Sequence, residues 1–238
     1  GLVFSANRNE VVSLGPHEFI VTGVVSGRGQ SGNFAQRLIP GEPVGTFYGW
    51  IFEGVENGRQ KFRDLNGDGR IDDADRTIIG KAQPDFTYGF RTNIYWGNLD
   101  FSLFIRGEQG RDVFNNTALV YQTKSAVLQN QNFLKAALDD PDALDEPAIF
   151  SSRWIEDGSF LRVDNVTIGY TFRNLGGVLG QHVRRARVYV TGQNLLLLTP
   201  YSGYDPEVNI SAGLAALGID YAQYPRPRSF TLGVSLGF

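Results

Sequence analysis

The last ten residues, SFTLGVSLGF, alternate without exception. Phe230, Leu232, Val234, Leu236 and Phe238 take one set of positions, and Ser229, Thr231, Gly233, Ser235 and Gly237 take the other. A period of two predicts a strand with one apolar face and one small, polar face. The same signature recurs in DFTYGFRTNIYWGNLDFSLFIRG, where Gly97-Asn98 is a two-residue turn suited to an antiparallel hairpin. Pairing outward from that turn sets Trp96 opposite Leu99, Ile94 opposite Phe101, Thr92 opposite Leu103 and Phe90 opposite Ile105. The other face pairs Tyr95 with Asp100, Asn93 with Ser102, Arg91 with Phe104 and Gly89 with Arg106.

Further strands are expected at about Leu2 to Val12, from Phe101 on toward Tyr121, at Phe160 to Phe172 and at Ala186 to Asn194. In Phe160 to Phe172, Val166, Ile168, Tyr170 and Phe172 share a face, whereas Arg162 and Asp164 break it. That upper half is read as lying above a membrane or as bulged. The joins at Gly97-Asn98 and Arg173 to Arg185 are short, and those at Gly15 to Pro84, Gln122 to Ser159 and Leu196 to Arg228 are long.

Periodicity alone leaves two architectures open. A soluble sandwich turns its apolar face to a core, and a membrane barrel turns it to lipid. The hairpin's apolar face is continuous over about ten residues per strand, the length a tilted strand needs to cross a bilayer. Trp96 and Tyr95 lie beside the tight turn, where an interfacial aromatic girdle would sit. The alternation of short and long joins also matches an outer-membrane barrel, since long connections crowded at one end are unusual in a sandwich.

Composition agrees with β structure: 29 Gly, 17 Phe and 10 Tyr among 238 residues. There is no Cys, so a disulfide framework, a zinc thiolate cluster and a thiol nucleophile are excluded. The net charge of −3 comes from 22 basic and 25 acidic residues scattered along the chain, which gives no reason to expect nucleic acid as partner. The chain begins at Gly1 and contains no Met, the expectation for a piece of a longer protein.

One loop carries metal chemistry in its spacing. DLNGDGRIDDADR, Asp64 to Arg76, reproduces the first part of an EF-hand loop. Asp64, Asn66 and Asp68 would be side-chain ligands, Gly69 the sharp turn, Arg70 a backbone carbonyl ligand, and Asp72 a direct or water-mediated one. Asp75 would close the site at position 12 in place of the usual Glu, and Ile71 would pack the loop against its surroundings. Hard oxygen donors favour Ca²⁺. The alternative is a polar double turn, since Asn-Gly and Asp-Gly are common turn formers.

No catalytic residues emerge, and the chain reads as a non-enzyme. His17 and His182 lie far apart, and Asp139-Asp140 and Asp145-Glu146 read as hydrated surface. Tyr48, Trp50, Tyr201 and Tyr204 fall in the long connections, where their rings would stack on a sugar, pack the loops or meet a partner protein.

The ordered run YGWIFEGV, DLNGDGRIDDADRTIIGKAQPDFTYGF, RWIEDGSFLRVDNVTIGYTF, ARVYVTGQNLLLLTPYSGYDPEVN and a terminal aromatic residue resembles the C-terminal part of the SusC/RagA family of TonB-dependent outer-membrane transporters. The resemblance covers essentially the whole chain. It implies the last six strands of a plugged 22-stranded antiparallel transmembrane β-barrel, placed in the bacterial outer membrane. Residues 1–238 would be one barrel portion, with extracellular loops at about 15–84, 122–159 and 196–228. Phe90, Ile94, Phe101, Leu103, Val234 and Leu236 would face lipid, and Arg91, Asp100 and Arg106 the lumen. It further implies import of glycans or peptides, a SusD-like lipoprotein as lid, and a TonB complex acting through a plug that lies outside this segment. A soluble carbohydrate-binding module with a dockerin-like calcium loop is the competing expectation.

Overall fold

A computed structural model describes residues 1–124, 130–140, 146–173, 183–210 and 216–238. Strand β1 (Leu2–Ser5) leads into a first excursion. That excursion holds β2 (Ile20–Val24), β3 (Phe34–Leu38), β4 (Thr46–Trp50), β5 (Phe52–Glu56), β6 (Arg59–Phe62), a 3₁₀ turn at Asp73–Asp75 and β7 (Arg76–Lys81). The hairpin follows as β8 (Phe86–Trp96) and β9 (Leu99–Gln109). A second excursion carries β10 (Asp112–Asn115), α1 (Asn116–Tyr121), α2 (Ala136–Asp139), a 3₁₀ turn at Ser152–Trp154 and β11 (Ile155–Asp157). The long strands β12 (Phe160–Arg173) and β13 (Arg185–Leu198) come next. A third excursion with β14 (Ile219–Asp220) precedes the last strand, β15 (Ser229–Gly237).

The organising element is an antiparallel six-stranded sheet in the order β1-β8-β9-β12-β13-β15. Every hairpin pair expected from the Gly97-Asn98 turn is present, from Trp96↔Leu99 to Gly89↔Arg106. Because neighbours are antiparallel, all three excursions (residues 6–85, 110–159 and 199–228) leave from one end, the loop end. The Gly97-Asn98 turn, the end of β12 at Arg173 and the start of β13 at Arg185 lie at the other, the turn end. The interior of that second join, with His182, lies outside the described residues, as does Asp145.

The outward face of the sheet is an exposed apolar stripe. Phe230 is 70 % and Leu232 72 % exposed, and Ile94, Ile168, Val190 and Val234 are also exposed. Such a continuous patch is far beyond what a soluble surface ordinarily shows.

Two expected strands are shorter than the sequence pattern implied. β1 ends at Ser5, opposite Thr87, because its partner β8 begins only at Phe86, just after Pro84. The stretch from Phe101 toward Tyr121 is not one strand: Gly110 turns the chain at φ 77°, and the Asn115 side chain accepts from Ala118 N to cap α1. The loops accordingly start at residues 6 and 110, not at 15 and 122, whereas β13 runs on to Leu198.

The break at Arg162 and Asp164 is a bulge. The register shifts between Val163 and Asn165, so that Asp164 is an extra residue in β12. Above the shift Val163 pairs with Ile105 on the apolar face, and Arg162 pairs with Arg106 on the polar face. Arg162 was expected among the apolar positions. The extra residue moves it to the opposite side.

There it is wholly buried in an ionic cluster with the third excursion. Arg162 Nη2 donates to Asp205 Oδ1 at 2.6 Å, and its Nε lies 3.0 Å from Glu207 Oε2. Arg106 grips both Glu207 oxygens at 2.6 and 2.8 Å and donates to Asp164 at 3.0 Å. Paired forks of this kind hold geometry as well as charge. The third excursion is thereby clamped to the polar face of β9 and β12.

The excursions are not separate loops. Phe47 from the first, Phe114, Leu119, Phe150 and Trp154 from the second, and Ile219 from the third share one buried cluster. Buried Asn116 exchanges two 2.7 Å bonds with the Ser26 backbone, and Gln36 Nε2 donates to Leu217 O at 2.6 Å. These bonds stitch the three excursions into one body.

Removing one side of the clamp leaves buried charge without compensation, which costs about 3–5 kcal/mol. Arg162→Ala in the full-length protein is therefore expected to open the third excursion to protease while the strands remain assembled. Arg162→Ala with Asp205→Asn should recover part of the loss. Proteolysis of the double and single variants checks both expectations.

Candidate ligand cavity and acidic loop

The three excursions line an open cleft of about 650 Å³ at their junction, within the size range of small-ligand sites. Phe52 comes from the first excursion, Asn115, Trp154 and Glu156 from the second, and Tyr204 and Asp220 from the third. Glu156 is held in place by Asn115 Nδ2 at 2.9 Å and by Ser202 through its N and Oγ at 2.7 and 2.8 Å. Tyr201 Oη donates to Asp220 Oδ2 at 2.7 Å, and burial pushes that phenol's pKa up. The carboxylates are thus fixed by neutral donors, an arrangement suited to receiving hydroxyl and amide groups from a ligand.

The four loop aromatics have separate fates. Tyr204 is 74 % exposed and lines the cavity, so its ring is open to a ligand. Tyr201 takes the loop-packing alternative: it is 5 % exposed and packs against Val113 and Val208. Trp50 lies under the Arg76 guanidinium at 3.9 Å and donates through Nε1 to Asp72 O at 2.8 Å. Tyr48 is covered by Arg37 at 4.0 Å, whose other side meets Phe19. Phe52 and Trp154, not singled out in the sequence, supply the cavity's other rings. Only long-range packing brings them there. Their spacing in sequence carries no such signal.

The acidic loop lies between β6 and β7 of the first excursion. Gly67 and Gly69 take φ of 73° and 79°, conformations that any side chain would disfavour. Asp64 accepts from Gly67 N at 2.7 Å and Gly69 N at 2.8 Å, and Asp68 accepts from Arg70 N at 2.8 Å. Asp72 caps the 3₁₀ turn through Ala74 N at 2.8 Å. Asp75 is turned inward and fully buried: Oδ1 accepts from Leu65 N at 2.8 Å and Oδ2 from Asp72 N at 2.9 Å. The Asp72 N–H, helped by those of Leu65 and Asn66, holds the Asp75 carboxyl below its ordinary value, and burial opposes that shift. Asp64 lies within hydrogen-bonding reach of Asp75, so the first and twelfth positions of the loop adjoin. Among the described residues no ion pair reaches Asp64, Asp68, Asp72 or Asp75. Nor do three or more acidic or imidazole groups converge as a metal cluster there. Ile71, expected to pack inward, is 44 % exposed.

No family model matches the chain. It is 33 % identical to the TonB-dependent receptor P3 of Formosa agariphila, over 99 % of this chain and 26 % of that protein. It is 30 % identical to the TonB-dependent receptor SusC of Bacteroides thetaiotaomicron, over 98 % of this chain and 23 % of that protein. Among solved structures the RagAB peptide transporter superposes with a TM-score of 0.78 at 22 % identity, over the whole chain and 26 % of the neighbour. The RagAB importer in its closed-closed state gives 0.73 at 23 %, over the whole chain and 27 % of the neighbour. The chain thus spans about a quarter of the length of the proteins it matches. Its apolar stripe, antiparallel order and full-length matches agree: the chain belongs to the SusC/RagA family of TonB-dependent outer-membrane receptors, as the C-terminal part of such a protein.

Proposed function

We propose that the full-length protein imports glycans or oligopeptides across the outer membrane with a SusD-like surface lipoprotein and a TonB complex. This segment supplies five strands long enough to cross the membrane, a short strand β1 paired at their edge, and a pre-built loop body above them. The observation that carries the reading is the sheet itself, exposed and apolar on one face and ionic on the other, with every long excursion at one end. The loop end then faces the outside medium and the turn end the periplasm. The cavity beside Tyr204 is the place in this segment where an incoming substrate meets the loops. A soluble binding module has no use for the apolar stripe, and would hide it in a core.

The full-length protein, tagged and purified in mild detergent from its own outer membrane, is expected to bring a SusD-like lipoprotein with it. Tyr204→Ala should leave that complex intact and weaken substrate capture. Purification of the receptor alone from several independent preparations would contradict the proposed partnership.

Calcium at the acidic loop belongs to the same reading. Asp64, Asn66, Asp68, the Arg70 carbonyl and Asp72 would hold the ion; Asp75, expected from the sequence to close the site, is buried with both oxygens taken by backbone N–H groups and would brace the loop from beneath. The donor types fit, since all are hard oxygens and the carboxylates carry no cationic partner among the described residues. The ion would stabilise the ordered loop by mass action. Asp75 contributes separately. Its lowered carboxyl favours the folded loop above the ordinary value of 3.8, and that contribution is lost only as the pH falls through the lower folded value.

Equilibrium dialysis of the full-length protein against labelled calcium is expected to show binding that Asp64→Ala with Asp68→Ala abolishes. The double variant should also expose the first excursion to protease while the strands stay assembled. Equal binding by the two proteins would make the loop a turn only.

A further inference from the structure

Tyr204 borders two hollows of opposite charge. It lines the open cleft, whose wall holds Glu156 and Asp220, and also a smaller hollow of about 280 Å³ lined by Arg162, Asp205, Arg226 and Arg228. Its exposed ring is a wall that both share.

The cleft has negative charge to spare. Asn115 and Ser202 hold Glu156, and Tyr201 and Thr117 hold Asp220, all of them neutral donors. A carboxylate has about four acceptor sites. Three are filled on Glu156 and two on Asp220. Among the described residues neither carboxylate forms an ion pair. Arg153 also lines the cleft, but Asp140 takes it at 3.0 Å and it rests against the Phe52 and Trp154 rings. That leaves Lys135, an exposed side chain just before α2, against two carboxylates.

The smaller hollow is basic. Glu207 is shared among Arg106, Arg162 and Arg226, and Arg226 reaches it only at 3.4 Å. Asp205 is committed to Arg162. Arg228 is exposed and forms no ion pair among the described residues. Pro225 and Pro227 restrict the backbone on either side of Arg226, and Asn194 Nδ2 donates to the Arg226 carbonyl at 2.7 Å. A stiff segment thus presents both guanidinium groups.

We propose that the loops take up an oligopeptide in zwitterionic form across Tyr204, its ammonium at Glu156 and Asp220 and its carboxylate at Arg226 and Arg228. The inference rests on the transporter reading of the cleft, which leaves glycan and oligopeptide open, and charge decides between them. A neutral glycan fills acceptor sites with hydroxyl groups but balances the charge in neither hollow. A peptide brings three ammonium donors to the carboxylates and an anion to the guanidinium forks, which take carboxylates bidentately. Opposite charges on the two sides of one ring also fix the direction in which the peptide lies.

The test is calorimetric titration of the full-length protein in mild detergent, with heat-modifiable migration showing that the barrel is folded. The probes are alanine peptides from dialanine to hexa-alanine, each with free termini, an acetylated amino end or an amidated carboxyl end. Maltohexaose is the neutral glycan. At the length that spans Tyr204, acetylation and E156Q are each expected to weaken binding about tenfold, as loss of one charge-assisted contact does. The acetylated peptide should then be indifferent to E156Q, and the amidated peptide to R228Q. Should E156Q fail to fold, the arm at exposed Arg228 carries the test. Equal binding of free and blocked peptides, additive losses, displacement by maltohexaose, or no binding at any length would overturn the peptide assignment and leave the transporter reading standing. A protein without a heat-modifiable barrel would overturn that reading and the assignment with it.

Discussion

Arg162 is fully buried and needs anions, and β12 delivers it to them through the one extra residue at Asp164. Without that residue the strict alternation that places Val166, Ile168 and Tyr170 outward would carry Arg162 outward as well. A guanidinium facing hydrocarbon is among the costliest placements in a membrane protein. The bulge resets the phase, so that Leu161 and Val163 continue the apolar stripe and Arg162 meets Asp205. Asp164 itself is then used by Arg106. One insertion therefore keeps the outer face apolar and also fastens the third excursion to the sheet.

From that fastening the rest of the loop end follows. With Asp205 and Glu207 fixed, Tyr204 is set at the cavity wall and Asp220 reaches Thr117 and Tyr201. Ile219 then completes the apolar cluster with Phe47 and Phe114. The segment's buried apolar core lies in this loop body, while its strands expose their apolar side chains to the surroundings. A membrane supplies what the sheet lacks, and the excursions supply their own core.

The parts of this architecture that were legible in sequence are those fixed by local chemistry. A two-residue turn sets register, so the whole β8–β9 ladder could be written down from Gly97-Asn98. The terminal alternation likewise announced β15. What escaped depends on contacts distant in sequence. The end of β1 is set by where β8 begins, and the turn at Gly110 and the cap at Asn115 interrupt an apolar run that looks like one strand. Arg162 and Asp164 showed that the pattern broke, but the side to which Arg162 turned required its partners at residues 205 and 207. Tyr201 and Tyr204 are nearly adjacent, yet one is core and the other cavity wall, and no periodicity distinguishes them. The calcium-type spacing was visible at once, whereas the inward turn of Asp75 was not.

On the transporter reading these strands separate lipid from lumen by alternation, with the phase reset at Asp164. Site-directed spin labels in the full-length protein in bilayers test it most directly. Single cysteines at Phe230, Leu232 and Val234, at Thr231 and Ser235, and at Arg162 and Val163 would each carry a nitroxide. Collision with oxygen, which concentrates in lipid, and with a water-soluble nickel chelate reports each environment. Oxygen-dominated relaxation is expected at positions 230, 232, 234 and 163, with oxygen access low at 231, 235 and 162. Access that is uniform along β15, or an oxygen maximum at position 162 in place of 163, would contradict it.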